Sequence, residues 1–221
     1  MNTFYENELY PLQDKVLAAI ETLKTPFYLT GGTALSRCYY QHRYSEDLDL
    51  FVNKDPDFIL VSESVIQQLA GLSLQINHKS EFYYSFQIEK ILKIELVNDV
   101  AAHFGEINSH TIFSRIDNPI NILSNKITAL ISRDEPKDIA DIWIITQNNK
   151  INWPQIFTDA SSKAIGIFPP TVAERLETFP LELLDQIKWV EGKQPDVAAF
   201  KTDINQLTSE ILKITTNHNR K

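Results

Sequence analysis

The chain is nearly without cysteine. Cys38 is the single one in 221 residues, so no internal disulfide can form and a reducing compartment is expected. Its helix neighbours, Leu35 among them, make it a packed thiol rather than a nucleophile. Long apolar runs are also missing. None approaches the ~20 residues that a membrane span requires. The opening residues, MNTFYENELY, carry acids and no apolar core. A soluble, cytoplasmic protein with no secretory signal and no membrane association is therefore expected. Positive charge is in short supply: 21 lysines and arginines face 29 aspartates and glutamates, a formal net charge of -8. Non-specific nucleic-acid affinity comes from neutralising phosphates, so this balance excludes a general nucleic-acid scaffold. It leaves room for a nucleic-acid substrate held by a local basic patch. There is no internal repeat and no low-complexity segment, and disorder is expected only at ends such as the polar tail 215–221.

What is present suffices for one sizeable domain, or one domain with a small appendage: 43% of the residues are hydrophobic and 23% charged. Residues 11–24 set Leu12, Val16, Ile20 and Leu23 on one helical face. A short strand over 26–30 ends at Gly31 and Gly32, and residues 33–41 suit a short helix. Residues 47–52 alternate carboxylate and apolar side chains, a strand signal. A helix over 56–72 precedes three strands, 73–78, 81–89 and 91–99, rich in aromatic and branched residues. The first half is thus a sheet domain with interspersed helices. From residue 119 onward the pattern turns helical, over 118–134, 135–147, 154–166, 169–178, 180–192 and 196–214, with several helices opened by proline. These segments divide the chain into a sheet domain, 1–118, and a helical region, 119–221.

The stretch from Leu29 to Phe51 reads LTGGTALSRCYYQHRYSEDLDLF. A strand that ends in Gly-Gly and turns into a helix presents free backbone N–H groups at a positive dipole end, which attracts phosphate. Glycine lets a phosphate approach the backbone closely, and Thr33 and Ser36 can add hydroxyl donors. Taken alone, such a Gly-Gly is usually only a turn. Asp47 and Asp49, two residues apart on a strand, point to one face. Nothing nearby in sequence neutralises them, so the pair needs solvent or cations. Mg²⁺ is commonly held by one or two carboxylates plus substrate phosphates, and two such ions ~4 Å apart can clamp an in-line phosphoryl displacement. One short helix and the turn HRYSE separate the glycines from the aspartates, which sets the amides and the carboxylates at neighbouring strand ends.

These motifs resemble the Gly-Gly/Ser and D-x-D signature of the DNA polymerase β-type nucleotidyltransferase superfamily. Arg43, Ser45, Asp47 and Asp49, in R-x-S-x-D-x-D, are similar in particular to the AbiEii/AbiGii-type toxin family of bacterial toxin–antitoxin and phage abortive-infection systems. The resemblance covers residues 27–148, with clear motifs at 30–51 and 122–145. It implies an α+β fold: a nucleotidyltransferase-type mixed sheet flanked by helices, followed by a helical C-terminal region. It implies that Gly31, Gly32 and Thr33, with Ser36 and Arg43, hold the nucleotide phosphates, and that Asp47 and Asp49 bind Mg²⁺. The superfamily needs a third carboxylate on a later strand. Glu95 beside Lys93 is preferred and Asp99 is its rival; Lys93, Glu95, Val97 and Asp99 share one strand face, so spacing alone leaves both open. A later helical motif of the family matches Lys126, Arg133, Lys137, Asp138 and Asp141. It implies that Lys126 contacts nucleotide phosphate and that Asp138 or Asp141 orients it or helps activate the acceptor. Periodicity puts these charges toward the core side, where they must meet partners, so a buried ion-pair network is the competing expectation. Arg133 and Lys137 are expected to be structural, as is Arg43 in part. Ser45 is expected to order the turn. His42 matches no motif and is expected to be solvated or hydrogen-bonded.

The resemblance further implies transfer of a nucleoside monophosphate from an NTP to an acceptor hydroxyl with two Mg²⁺ ions. RNA such as tRNA is the expected acceptor, and a cognate antitoxin the expected partner. Helices 119–148 would complete the active site, and 152–221 would serve acceptor or antitoxin binding. Arg37, Arg43, Lys126, Arg133 and Lys137 would then line a basic channel. Two competitors stand beside this reading. One keeps the chemistry with a small-molecule or protein acceptor, for which the acidic balance favours a cationic one. The other is a non-catalytic nucleotide- or partner-binding module, against which the intact set of glycines, Asp47, Asp49 and Glu95 argues.

Overall fold

The computed structural model describes residues 3–133 and 135–218. The chain divides into two compact units, residues 1–118 and 119–221.

The first unit begins with a π-helical turn, Tyr5–Leu9, that runs into helix α1, Tyr10–Glu21. Strand β1, Tyr28–Thr30, leads straight into helix α2, Gly31–Ala34, which continues as a π-helical turn over Leu35–Tyr40. Then come β2 (Leu48–Asn53), α3 (Phe58–Gln68), β3 (Leu74–Lys79), β4 (Tyr83–Ile88) and β5 (Leu92–Asp99). The five strands form one sheet in the order β1-β2-β5-β4-β3. Only β2 and β5 run parallel, and the α3-β3-β4 excursion supplies the crossover that parallel pairing demands.

Alternation explains the two faces of this sheet. Leu48, Leu50 and Val52 on β2, Ile94 and Leu96 on β5, and Tyr84, Phe86 and Ile88 on β4 are all buried. Each fully buried aliphatic side chain of this set contributes about 1.5–3 kcal/mol. Phe58, at the start of α3, meets Tyr84 and Phe27 edge-on, so α3 lies on this apolar face. The intervening residues, Asp47, Asp49, Lys93 and Glu95 among them, belong to the opposite, polar face.

The second unit is helical: α4 (Pro119–Ser132), α5 (Pro136–Asn148), α6 (Trp153–Lys163), α7 (Pro169–Glu177) and α8 (Val197–His218). Proline occupies the first or second position of α5, α6 and α7, where its missing N–H would have no helical acceptor. The stretch 180–192 differs from expectation. It holds only a 3₁₀ helix, Leu181–Gln186, and is extended by Ile187. The Trp189 indole donates to the Leu184 carbonyl at 2.9 Å and meets Trp143 edge-on at 6.3 Å, contacts that anchor the ring where the chain has left helical geometry. Of the polar tail expected to be disordered, the backbone up to His218 is helical; residues 219–221, like Asp134 at the end of the expected 118–134 helix, lie outside the described residues.

Candidate active site

In the first unit, the sheet register brings the expected groups together. Thr30, the last residue of β1, pairs with Asp49, and Asp49 in turn pairs with Glu95 across the parallel β2–β5 ladder. The glycine turn, Asp49 and Glu95 therefore sit on three adjacent strands at one level. Asp99 pairs instead with Asn53, four residues further along, roughly 13 Å away at the rise of a strand. Its carboxylate accepts the Ala101 N–H at 2.9 Å and so orders the turn that follows β5. Glu95 is the acid that lies beside the aspartate pair.

Both glycines are demanded by contact. Gly31 adopts φ +67, and a Cβ there would collide with Asp49 Oδ2. A Cβ on Gly32 would collide with the Arg43 guanidinium and come within 3.1 Å of Ser45 Oγ. The glycine turn thus packs directly on the motif R-x-S-x-D-x-D. The first turn of α2, with its free amides and the Arg43 guanidinium alongside, presents donors that suit an anion.

The remaining expected residues hold the frame. The Thr33 hydroxyl is buried and bonds Ser45 Oγ at 2.9 Å and the Asp47 carbonyl, which fixes the strand entry. The buried Ser36 hydroxyl reaches back 3.5 Å to the Thr33 carbonyl. Arg43, besides lying against Gly32, donates to the Tyr44 carbonyl at 3.0 Å. His42 is buried rather than solvated, its ring edge-on to Tyr40 at 6.3 Å. Residues from the N-terminal helix, which the sequence motifs do not flag, clamp the same turn. Tyr5 stacks on Tyr44 at 4.3 Å and its hydroxyl meets Glu46. Gln13 Nε2 donates to the Ser45 carbonyl at 3.2 Å, and the Ser45 N–H donates to the Tyr10 hydroxyl at 3.3 Å.

Glu95 has its own supports. Lys93 Nζ lies 2.5 Å from Oε1, and the Tyr83 hydroxyl bonds the same oxygen. Burial pushes the Glu95 carboxyl up, but the Lys93 ammonium and the Tyr83 hydrogen bond outweigh it and hold the group below the usual carboxylate range. Tyr83 is a residue that spacing could not assign, since it reaches Glu95 only through the β4–β5 pairing.

Among the described residues no three His, Cys, Asp or Glu groups stand together as a ready-made metal cage. The donor chemistry nonetheless suits Mg²⁺, which takes hard oxygens and is commonly held by one or two carboxylates plus substrate phosphates. Asp47 and Asp49 are such carboxylates, and the amides of the glycine turn are adjacent. Cys38 takes no part: burial pushes its thiol up to about 11.

In the second unit, Lys126, Asp138 and Asp141 form one buried cluster. Lys126 Nζ lies 2.7 Å from a carboxylate oxygen of each aspartate, which are 1% and 0% exposed. Arg133 adds a second cation, its Nε 2.8 Å and Nη2 3.1 Å from Asp138. Burial raises the Asp138 carboxyl, but Lys126 and Arg133 prevail and hold it low. The cluster ties α4 to α5. A second polar anchor, which no motif signalled, ties α6 to α4: Lys163 Nζ meets Asn121 Oδ1 at 2.9 Å, Ser124 Oγ at 2.7 Å and Asn125 Oδ1 at 2.5 Å.

The five cations expected to line a basic channel are mostly engaged elsewhere. Arg37 pairs with Asp14 at 2.7 Å and covers the Tyr10 ring at 4.4 Å. Arg43 and Lys126 are buried, and only Arg133 and Lys137 of the five face solvent. Burying a cation is tolerable only beside a carboxylate or a ring, and those partners draw the charges inward.

Comparison with known proteins agrees with this geometry. Residues 15–213 match the model of the family described as nucleotidyl transferase AbiEii toxin, type IV TA system. No curated protein sequence matches the chain. Among solved structures, JHP933 from Helicobacter pylori is similar at TM-score 0.58 and 18% identity, over 97% of this chain and 96% of its own. MenT4, a nucleotidyltransferase toxin from Mycobacterium tuberculosis H37Rv, gives TM-score 0.59 at 13% identity, over 92% and 82%. The antibiotic-resistance factor ANT(2″)-Ia gives 0.51 at 14% identity, over 69% and 89%. At such identities the structures show a shared nucleotidyltransferase fold, while the family match spans most of the sequence. The chain belongs to the AbiEii nucleotidyltransferase toxin family, whose members are the toxins of type IV toxin–antitoxin systems.

Proposed function

We propose that the protein transfers a nucleoside monophosphate from an NTP to a hydroxyl of an RNA such as tRNA, and that this transfer is its toxic act. The observation that carries the reading is the packing of the Gly31 turn on Asp49, with Glu95 as the next strand's partner. The turn's amides and Arg43 receive the triphosphate, and the protein frame of Thr33, Ser45 and the Tyr5–Tyr44 stack keeps that seat rigid. The acceptor oxygen forms a bond to the α-phosphorus, the bond from phosphorus to the bridging oxygen breaks, pyrophosphate leaves and the hydroxyl proton is lost to solvent. Such transfer depends mainly on positioning and charge stabilisation. Asp47 and Asp49, with Glu95 on the next strand, would hold Mg²⁺, which would supply charge neutralisation on the phosphates. Glu95 stays ionised for that role because Lys93 and Tyr83 hold its other protonation state off. On the family motif, Lys126 and Asp138 take part in nucleotide binding as well as in the ion-paired cluster of the helical unit.

The biological setting follows from the family: a cognate antitoxin restrains the toxin in the cytoplasm, and phage abortive infection is one outcome. No helix among the described residues is long and apolar enough to cross a membrane. Incubation with Mg²⁺ and each labelled NTP, with and without total RNA, tests the chemistry. Label should pass to RNA with the wild type and not with Asp49→Ala. Absence of transfer to every acceptor tried would overturn the reading.

A further inference from the structure

In the sheet unit Arg37 is paired with Asp14 and Arg43 is buried, so a seat for the acceptor beside the acids of that unit needs chemistry other than these two cations. The strand order indicates where. The glycine turn that takes the triphosphate lies at the β1 edge, and the carboxylates lie on β2 and β5. In an in-line displacement the entering and leaving oxygens lie on opposite sides of the phosphorus. With pyrophosphate directed toward β1, the acceptor enters from the far side of Glu95, over β4 and β3.

That face is built as a platform. Ser85 pairs with Glu95 and His78 with Ser85, so one row runs from the acids to the free sheet edge. Gln87 pairs with Lys93 and Gln75 with Gln87 in the next row. Tyr83 stands on the same face, its hydroxyl on Glu95, and the His78 ring lies 5.8 Å from the Tyr83 ring, tilted by 40°. His78 and Gln75 are exposed, Tyr83 and Gln87 half-buried. His78 reaches this face only because of an irregularity between Ile76 and His78. Bulges of this kind re-aim side chains next to active sites. Neither strand carries an acid, LQINHK and YYSFQI, although the chain has a net charge of -8. Two rings and two amides on strands without an acid, bordered by Glu95 and Lys93 on β5, suit nucleobases, which stack on rings and offer hydrogen-bonding edges to amides.

Resting on the nucleotidyl-transfer reading, we propose that the β4–β3 face beside Glu95 is the acceptor seat, in which Tyr83 and His78 stack the terminal bases of a single-stranded nucleic acid and Gln75 and Gln87 contact their edges. The test is fluorescence anisotropy with a short labelled single-stranded RNA, its DNA counterpart and a Ser-rich peptide, without NTP. His78→Ala and Tyr83→Leu should each raise the RNA Kd at least fivefold, as expected for loss of one stacked base. His78→Phe and Tyr83→Phe should restore it, which a merely structural role would not predict. Lys79→Ala, on the opposite face against Tyr84, should leave it unchanged. Nucleotide affinity should be untouched in His78→Ala. Equal RNA affinity in wild type and both ring-loss variants overturns the seat, as does peptide bound in preference to RNA, while transfer by the wild type would still stand. Preference for DNA over RNA would keep the seat and reassign the acceptor. Failure of the wild type to bind RNA or DNA overturns the seat whatever the transfer assay reports.

Discussion

Replacing Gly31 by alanine separates two duties of one residue. Gly31 has φ +67, and an L-residue in that region costs about 1–2 kcal/mol. The new Cβ would also collide with Asp49 Oδ2 and lie 3.3 Å from Asp49 Cγ. The colliding atom is the end of a short side chain, so rotation of the carboxylate relieves the clash without unfolding the sheet. Stability should therefore fall by the backbone cost alone, a Tm shift of roughly 2–8 °C for a chain of this size. Transfer should fall much further. A displaced Asp49 carboxylate moves on the order of 1 Å, and such misplacement costs about 100-fold in rate. Two alanine variants calibrate the comparison. Gly166 has φ +87 with nothing within 4 Å of a new Cβ, so Gly166→Ala carries the backbone cost without a collision. Gly71 has neither a positive φ nor a neighbour within 4 Å and should be neutral. Calorimetry supplies the Tm values and initial rates of label transfer to RNA supply the activities. If Gly31→Ala matches Gly166→Ala in Tm and still transfers at a near wild-type rate, the placement of Asp49 by the glycine turn is irrelevant to chemistry and the site has been misread.

Three further outcomes are expected. Lys126→Ala leaves Asp138 and Asp141 buried without their shared ammonium and should cost about 3–5 kcal/mol in denaturant unfolding, the scale of a broken buried ion pair; Lys126→Arg should recover part of that, and loss of transfer in a stable Lys126→Arg would mark a nucleotide contact beyond packing. Asp138 has a depressed folded-state pKa, so its contribution to stability is present above the ordinary carboxylate range and is lost as pH falls through the folded value. Unfolding free energy measured against pH should decline on acidification, and Asp138→Asn, though less stable at neutral pH, should flatten that decline. Cys38, pushed up to about 11 by burial, should resist alkylation at pH 8 in the native protein and react on unfolding, followed by mass spectrometry.

The parts of the site that were legible in the sequence are those set by local geometry. One residue, Leu48, separates Asp47 from Asp49, and a strand that runs into Gly31 and Gly32 turns, so both motifs could be placed without knowing what lies across the sheet. Glu95 and Asp99 could not be separated that way, because four residues along a strand return to the same face. The β2–β5 register separates them, and register comes from pairing between segments 46 residues apart, as Asp49↔Glu95 shows. Helical periodicity placed Lys126, Asp138 and Asp141 on the core side and required partners for them. Their mutual pairing, and the pairing of Arg37 with Asp14, were not legible in the same way: a sequence reports the sign of a charge but not which neighbour cancels it.

Strand β3 shows how far one residue can mislead. Simple alternation along LQINHK would put Gln75, Asn77 and Lys79 on the polar face and turn His78 toward the core. The irregularity after Ile76 reverses that parity, so Lys79 lies over Tyr84 at 5.2 Å with Glu63 at 2.7 Å, on the α3 side, and His78 faces Tyr83. A reader of alternation alone would have offered a lysine to the acceptor and inferred a phosphate contact. The register offers an imidazole beside a phenol, and the chemistry expected of that face changes from charge neutralisation to stacking. The two differ in salt dependence: a phosphate contact weakens steeply as salt rises, whereas a stacked base is far less sensitive. RNA affinity lost in His78→Ala should therefore be lost by a similar factor at low and high salt. If the loss shrinks with rising salt, His78 acts as a cation and the stacking assignment fails.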